Sequence, residues 1–280
     1  MPSPARGSPF HSLGDRWSKK NPEPDPIAFI ATPMTSMPIP PRSDAELLRA
    51  NRQFYEALWA DARLIPPQRF NTWPLVRSLL PLTGERLEVA PGLRPRLPID
   101  GTHFIDISAA ALAQLRECGA SAVLALITSI PFPDRTFDLV CALDIVEHVD
   151  DEDGALSELS RVAAPGAVLL LSVPLHPSHW TAFDELVGHR RRYEPKRMLA
   201  KLAEHGIAVD CSAVFGMMPR SSRLVGAGMW LLTHHRKRAM WWYNRFFMPL
   251  GLRLQSALAF VPGMIDAEEV DEVLLVCRKA

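Results

Sequence analysis

Two carboxylates stand where short apolar runs give way to tight turns. Glu88 lies in Leu87-Glu88-Val89-Ala90-Pro91-Gly92, and Asp106 in Phe104-Ile105-Asp106-Ile107-Ser108. An acid followed by small residues lets backbone approach a ligand closely, and an acid at the end of a second strand is placed to accept hydrogen bonds from ribose hydroxyls. Two histidines keep charged company, in Glu147-His148 and in Gly188-His189-Arg190-Arg191-Arg192-Tyr193. Imidazole is the usual proton carrier near neutral pH, so His148 and His189 are the candidate catalytic groups. The alternatives stay open at this stage. Glu147-His148 could simply fix a loop. The basic run could either pair with acids around a buried Tyr193 or grip an anionic group. His176, His179, Asp184 and His189 match no compact ligand spacing, so no metal is expected.

The elements that must position these groups alternate. Short apolar strands are predicted over 86–90, 103–107, 120–126 and 137–143, with a nearly pure aliphatic one over 167–173. A helix over 108–117 follows the second strand, and one over 152–162 precedes the fifth. Strand, helix, strand at this spacing implies βαβ crossovers and an α/β fold with a doubly wound, mostly parallel sheet. Two late strands, 208–215 and 270–277, complete a seven-stranded sheet, and the long gap between them is an insertion. Helices are also expected from Ser43 through Trp59 and over 73–80.

Four segments carry a family resemblance. They are Leu87 to Gly92; Phe104 to Ser108; Ile130-Pro131-Phe132-Pro133-Asp134-Arg135-Thr136-Phe137-Asp138-Leu139-Val140; and Leu143-Asp144-Ile145-Val146-Glu147-His148-Val149. The run from Glu88 to Pro174 resembles the class I S-adenosylmethionine-dependent methyltransferases, Rossmann-like enzymes that include the ubiquinone-pathway and small-molecule O-methyltransferases. The resemblance implies S-adenosyl-L-methionine as cofactor. By the same resemblance Glu88 lies beneath its amino-acid moiety, and the turn at Ala90 to Gly92 faces it. Asp106 holds the ribose diol, Ile107 packs on the adenine, and Leu143 and Asp144 line the methionine end. Family members usually have glycine where Ala90 and Arg94 stand. Alanine fits at little cost if its φ is negative. The acid that often reaches adenine is missing where Leu126 stands, and backbone at Ile127 or Thr128 would replace it.

Composition bounds the partners. Lys and Arg equal Asp and Glu at 31 each, which argues against nucleic acid as a partner. The balance is regional, with thirteen basic residues against three acids between His189 and Arg253. Residues 1–43 are rich in Pro and Ser and read as a disordered leader, with the catalytic domain over 44–280. Within it, the 217–268 insertion interleaves Trp230, Trp241, Trp242, Tyr243, Phe246 and Phe247 with arginines. That pattern suits a helical lid, a peripheral membrane contact or a homodimer contact. Methyl transfer to an oxygen, or secondarily a nitrogen, of a small-molecule or lipid-like acceptor is the expected activity. A non-catalytic protein of the same fold, kept for binding or scaffolding, is the alternative. Four widely spaced cysteines without a CxxC pair, no signal-peptide pattern and no membrane span point to the cytoplasm.

Overall fold

The computed structural model describes residues 52, 55–216, 228, 230–231, 234–266 and 268–280, all within the 42–280 unit of the chain. The expected leader, the start of the first helix and the head of the insertion lie outside them. Eight strands form one sheet in the order β3-β2-β1-β4-β5-β8-β6-β7. They are β1 (Arg86–Val89), β2 (Thr102–Asp106), β3 (Ser121–Leu124), β4 (Phe137–Leu143), β5 (Ala163–Pro174), β6 (Ile207–Val214), β7 (Val261–Pro262) and β8 (Glu272–Lys279). The first five run parallel, and β8 inserts antiparallel between β5 and β6. Seven strands were expected. The eighth is the two-residue β7, which pairs with the free edge of β6 at Cys211 and Ser212 and is too short to leave a pattern in sequence.

Alternation along the central strands explains why they read as unbroken apolar runs. Val140 and Ala142 enter one core cluster with Leu169 and Leu171, while Leu139 and Cys141 enter another with Val168 and Leu170. Both faces are therefore covered, as parallel sheets require. Helix α1 (residues 55–61) and α2 (Trp73–Leu79) precede the sheet, and α3 (Ala109–Glu117) follows β2. Helix α4 (Glu152–Val162) precedes β5, and α5 (Ala182–Val187) and α6 (Pro195–Glu204) follow it. Ser108 caps α3 by accepting from the Ala111 amide, and Asp151 caps α4 by accepting from Gly154. In the insertion, residues 236–254 form one continuous helix, α7, with a single wider turn at Tyr243–Phe247.

The Ile130 to Val140 motif owes its form to α4. Arg161 donates to the carbonyls of Ile130 and Phe132 at 2.9 Å each and pairs with Asp134 at 2.7 Å. Glu158 pairs with Arg161 and accepts from the Ile130 amide at 2.7 Å. One ion-pair network thus fixes the loop leading into β4.

Candidate active site

Strand order reverses between β1 and β4, and in open α/β sheets ligands bind outside the carboxyl ends of the strands at that switch point. Glu88 is the third residue of β1, and its carboxylate accepts from the amides of Arg96, at 2.8 Å, and Leu97, at 2.9 Å, in the loop beyond the strand. It is buried, and burial pushes its carboxyl up to about 7 against the lowering effect of those two amides. Its visible work is to shape the 91–97 loop.

Ala90 has φ of 54°, in the left-handed region, so the condition for cheap alanine is not met. The turn needs the conformation that glycine adopts freely and alanine only with strain. Gly92 has the same φ, and a Cβ there would overlap the Trp59 ring. Its amide donates to Asp106 Oδ2 at 3.0 Å, while the Ser108 amide donates to Oδ1 at 2.8 Å. Both carboxylate oxygens of Asp106 are thereby aimed by backbone, and each keeps a further lone pair. Burial raises the Asp106 carboxyl, opposed by those amides. Ile107 is half-buried at the same strand end, and the Ile127 side chain is buried in the main core. Leu143 packs on the second core cluster, and Asp144 beyond it has φ of 51° and is held by Ser172, which donates its hydroxyl to the carboxylate.

His148 and His189 come together with Glu147. Their rings are 4.6 Å apart, and Glu147, His148 and His189 each offer one ligand atom within 4.8 Å of the others, which is room for a cation among them. His148 hydrogen-bonds through Nδ1 to the Gly188 carbonyl at 3.3 Å, and burial together with His189 drives its pKa down to about 3. His189 Nδ1 lies 2.7 Å from Asp184 Oδ1, and its Nε2 is 3.8 Å from Glu147 Oε1. Asp184 also closes the capping box of α5 with Thr181 and takes a bidentate contact from Arg192. Those hydrogen bonds hold its carboxyl well below the usual range despite burial. Glu147 is fully buried, its two oxygens have no hydrogen-bond partner among the described residues, and burial followed by the charge of Asp144 raises it well above the ordinary carboxylate range.

The three arginines after His189 are occupied. Arg190 pairs with Asp150, Arg191 with Glu152 and Arg192 with Asp184, while Tyr193 is buried and donates to Glu152 at 3.1 Å. The reading in which one of them grips an anionic group gives way to the structural one, because each already meets an acid.

Residues outside the motifs complete the site. Glu56 of α1 accepts from the Ser108 hydroxyl at 2.7 Å and the Ala110 amide at 3.1 Å, docking α1 on the head of α3. Trp59, one turn on, covers Gly92, and Tyr55 reaches His148 with ring centroids 5.7 Å apart. Arg94 is held between the Trp59 and Tyr243 rings and bonds to the Tyr243 hydroxyl. Glu272, at the start of β8, is raised well above the usual range by burial and then by Asp144 and Glu147. The signal available for α1 was the aromatic pair Tyr55 and Trp59 at i, i+4. For Glu272, which pairs with Pro174 across β5 and β8 but lies far from every motif in sequence, there was none.

Residues 98–171 match the family model for a methyltransferase domain. Norajmaline N-methyltransferase of Rauvolfia serpentina is 31% identical over 83 residues, covering 30% of this chain and 26% of that enzyme. The match therefore spans a minor part of that relative's length. A solved S-adenosylmethionine-dependent methyltransferase of Thermotoga maritima, described as a possible histamine N-methyltransferase, superposes with a TM-score of 0.51 at 14% identity, over 85% of this chain and 94% of that one. The 4+2 cyclase SpnF superposes with a TM-score of 0.50 at 18% identity, over 74% and 79% of the two chains. At such identities the superpositions speak for the fold alone. Residues 98–171 thus resemble a methyltransferase domain, and the sheet has the fold of the solved S-adenosylmethionine-dependent methyltransferases.

Proposed function

We propose that the protein transfers a methyl group from S-adenosyl-L-methionine to an oxygen, or secondarily a nitrogen, of a small or lipid-like acceptor. The observation that carries this reading is the convergence at one sheet end of the backbone-aimed Asp106 carboxylate and the Asp184–His189 pair. Asp106 and the Gly92 amide that aims it suit the cofactor, since the carboxylate keeps lone pairs for two hydroxyls. Asp144, just beyond the end of β4 and held by Ser172, suits its cationic methionine end. The cofactor supplies an electrophilic methyl on a sulfonium, so the chain has to align the acceptor, exclude water and take up a proton. His189 is the base in this reading. Asp184 holds Nδ1 protonated, which leaves the Nε2 lone pair for the acceptor proton. Tyr55 and Trp59 shield the strand ends from water. Oxygen is favoured over nitrogen because a hydroxyl acceptor needs such a base. The free thiols of Cys118, Cys141, Cys211 and Cys277 support a cytoplasmic setting.

The test is calorimetry with S-adenosylhomocysteine, followed by incubation with methyl-labelled cofactor and extract fractions. Binding that Asp106→Ala weakens at least about tenfold supports the reading. Absence of binding by the unaltered chain sinks it and favours a scaffolding role for the fold.

A second reading is favoured by Glu147, whose buried carboxylate has no hydrogen-bond partner among the described residues and lies beside two imidazoles. A divalent cation held by Glu147, His148 and His189 would polarise the acceptor oxygen. Titration with Zn²⁺ or Mn²⁺ separates the two, because a His189 base keeps its activity in chelator and a cation site does not.

A further inference from the structure

Helix α7 is attached to the molecule by one face and leaves the other uncovered by the described residues. Ala239, Met240 and Met248 are buried, and Met240 and the partly buried Tyr243 join the cluster of Trp59 and Leu93. Asn244 donates to the Asp61 carbonyl at 2.8 Å, and Arg236 pairs with Asp61 at 3.1 Å. On the opposite face Trp241, Trp242, Phe246, Phe247, Leu250 and Leu254 are each between 45% and 71% exposed. Trp242, Phe246 and Leu250 fall at i, i+4 and i+8, one line along the helix. The aromatic rings pack on one another, with centroids 4.8 Å apart for Trp242 and Phe246 and 5.1 Å apart for the two tryptophans.

The same nineteen residues hold Arg236, Lys237, Arg238, Arg245 and Arg253 and no acid. Lys237, Arg238, Arg245 and Arg253 are exposed and have no ion-pair partner among the described residues. This is local, since the whole chain is formally neutral. A surface that is apolar and aromatic along its centre and cationic around it is complementary to one that is anionic outside and apolar beneath. At 1.5 Å per residue the helix is about 28 Å long, enough to lie along an interface with its rings at headgroup depth. No described helix is long and apolar enough to cross a membrane, so the geometry is one of lying on the surface.

We propose that the outer face of α7 docks the protein on an anionic lipid bilayer. Aromatic rings enter the headgroup region, and Lys237, Arg238, Arg245 and Arg253 meet lipid phosphates. Docking there sets the strand ends beside the bilayer. Tyr243 of α7 is bonded to Arg94, which follows the β1 turn, so the helix that meets lipid is one contact from the site. The proposal stands on the exposed face and does not depend on the methyl-transfer reading.

The experiment is flotation of the full chain with vesicles of phosphatidylcholine alone and of phosphatidylcholine with phosphatidylglycerol, at low and high salt. The unaltered chain is expected to float with the anionic vesicles at least about tenfold better than with neutral ones, and salt should weaken this. Two variants are compared, Trp241→Ser/Trp242→Ser/Phe246→Ser and Lys237→Glu/Arg238→Glu/Arg245→Glu. Each should lose that binding about tenfold or more at an unchanged Tm. The charge variant alters only exposed side chains and keeps the test decisive if the aromatic one misfolds. Failure of the unaltered chain to float, or flotation that neither variant alters, overturns the proposal. So does a dimer in light scattering that the aromatic variant converts to monomer, since a second copy would then cover the face.

Discussion

His189 Nδ1 lies 2.7 Å from Asp184 Oδ1, five residues apart in sequence and joined across the end of a single short helix. Gly188, left-handed at φ of 78°, turns the chain so that the imidazole doubles back onto the capping-box acid. His189→Ala is expected to lower methyl transfer by about 10² to 10⁴-fold while leaving S-adenosylhomocysteine affinity nearly intact. Asp184→Asn should act in the same direction and shift the pH profile of the rate. Its Tm must be followed, because Asp184 also caps α5 and holds Arg192. Full turnover in His189→Ala would exclude it as the base.

Ala90 and Gly92 make opposite predictions at the same φ. Ala90→Gly removes left-handed strain and should stabilise the fold by about 1 kcal/mol in denaturant titration. Gly92→Ala should destabilise by about 1 to 3 kcal/mol, since it adds strain and overlaps the Trp59 ring. Equal effects from the two would mean that the turn is not built as described.

Glu88 gives stability a pH dependence of defined sign. Its folded carboxyl is raised from 4.5 to about 7, so the folded state holds the proton more tightly than the unfolded one. The contribution is complete below pH 4.5 and is lost as pH rises through 7, with a full span on the order of 3 kcal/mol. Glu88→Gln should flatten that part of the profile. His148 has the opposite sign. With its folded pKa near 3 against an ordinary 6.5, its contribution is complete above pH 6.5 and falls away toward acid. Replacing His148 by Gln should raise relative stability between pH 4 and 6.

Arg161 is expected to matter to the loop before β4 although it is far from the proton-transfer groups. Arg161→Met leaves the Ile130 and Phe132 carbonyls and two acids without their donor. A loss of about 2 to 4 kcal/mol is expected, with hydrogen exchange rising first at 130–136. Unchanged protection there would refute this account of the motif.

Much of the fold was legible because periodicity records burial. The aliphatic run over 167–173 sits in a central strand covered on both faces, and Glu152–Val162 is a helix whose amphipathic pattern and cap are both local. The strand-end acids were legible for the same reason, as an acid at the close of an apolar run has few other places to be. The eighth strand was not, since two residues on an edge bury too little to constrain their types.

Local order alone therefore determined the α/β class, the strand-end positions of Glu88 and Asp106, and the joint presence of two histidines with acids. Tertiary structure decided which of these groups meet. It brought Glu147 and His148, which follow β4, against His189, which follows α5, and laid Tyr55 and Trp59 across the strand ends. It also assigned the three arginines to acids and turned Ala90 left-handed. The physical reason is range. Helix and strand periodicity, caps and turns act over a few residues, whereas ion pairing, burial of a carboxylate and the φ imposed on a turn depend on neighbours supplied by distant segments.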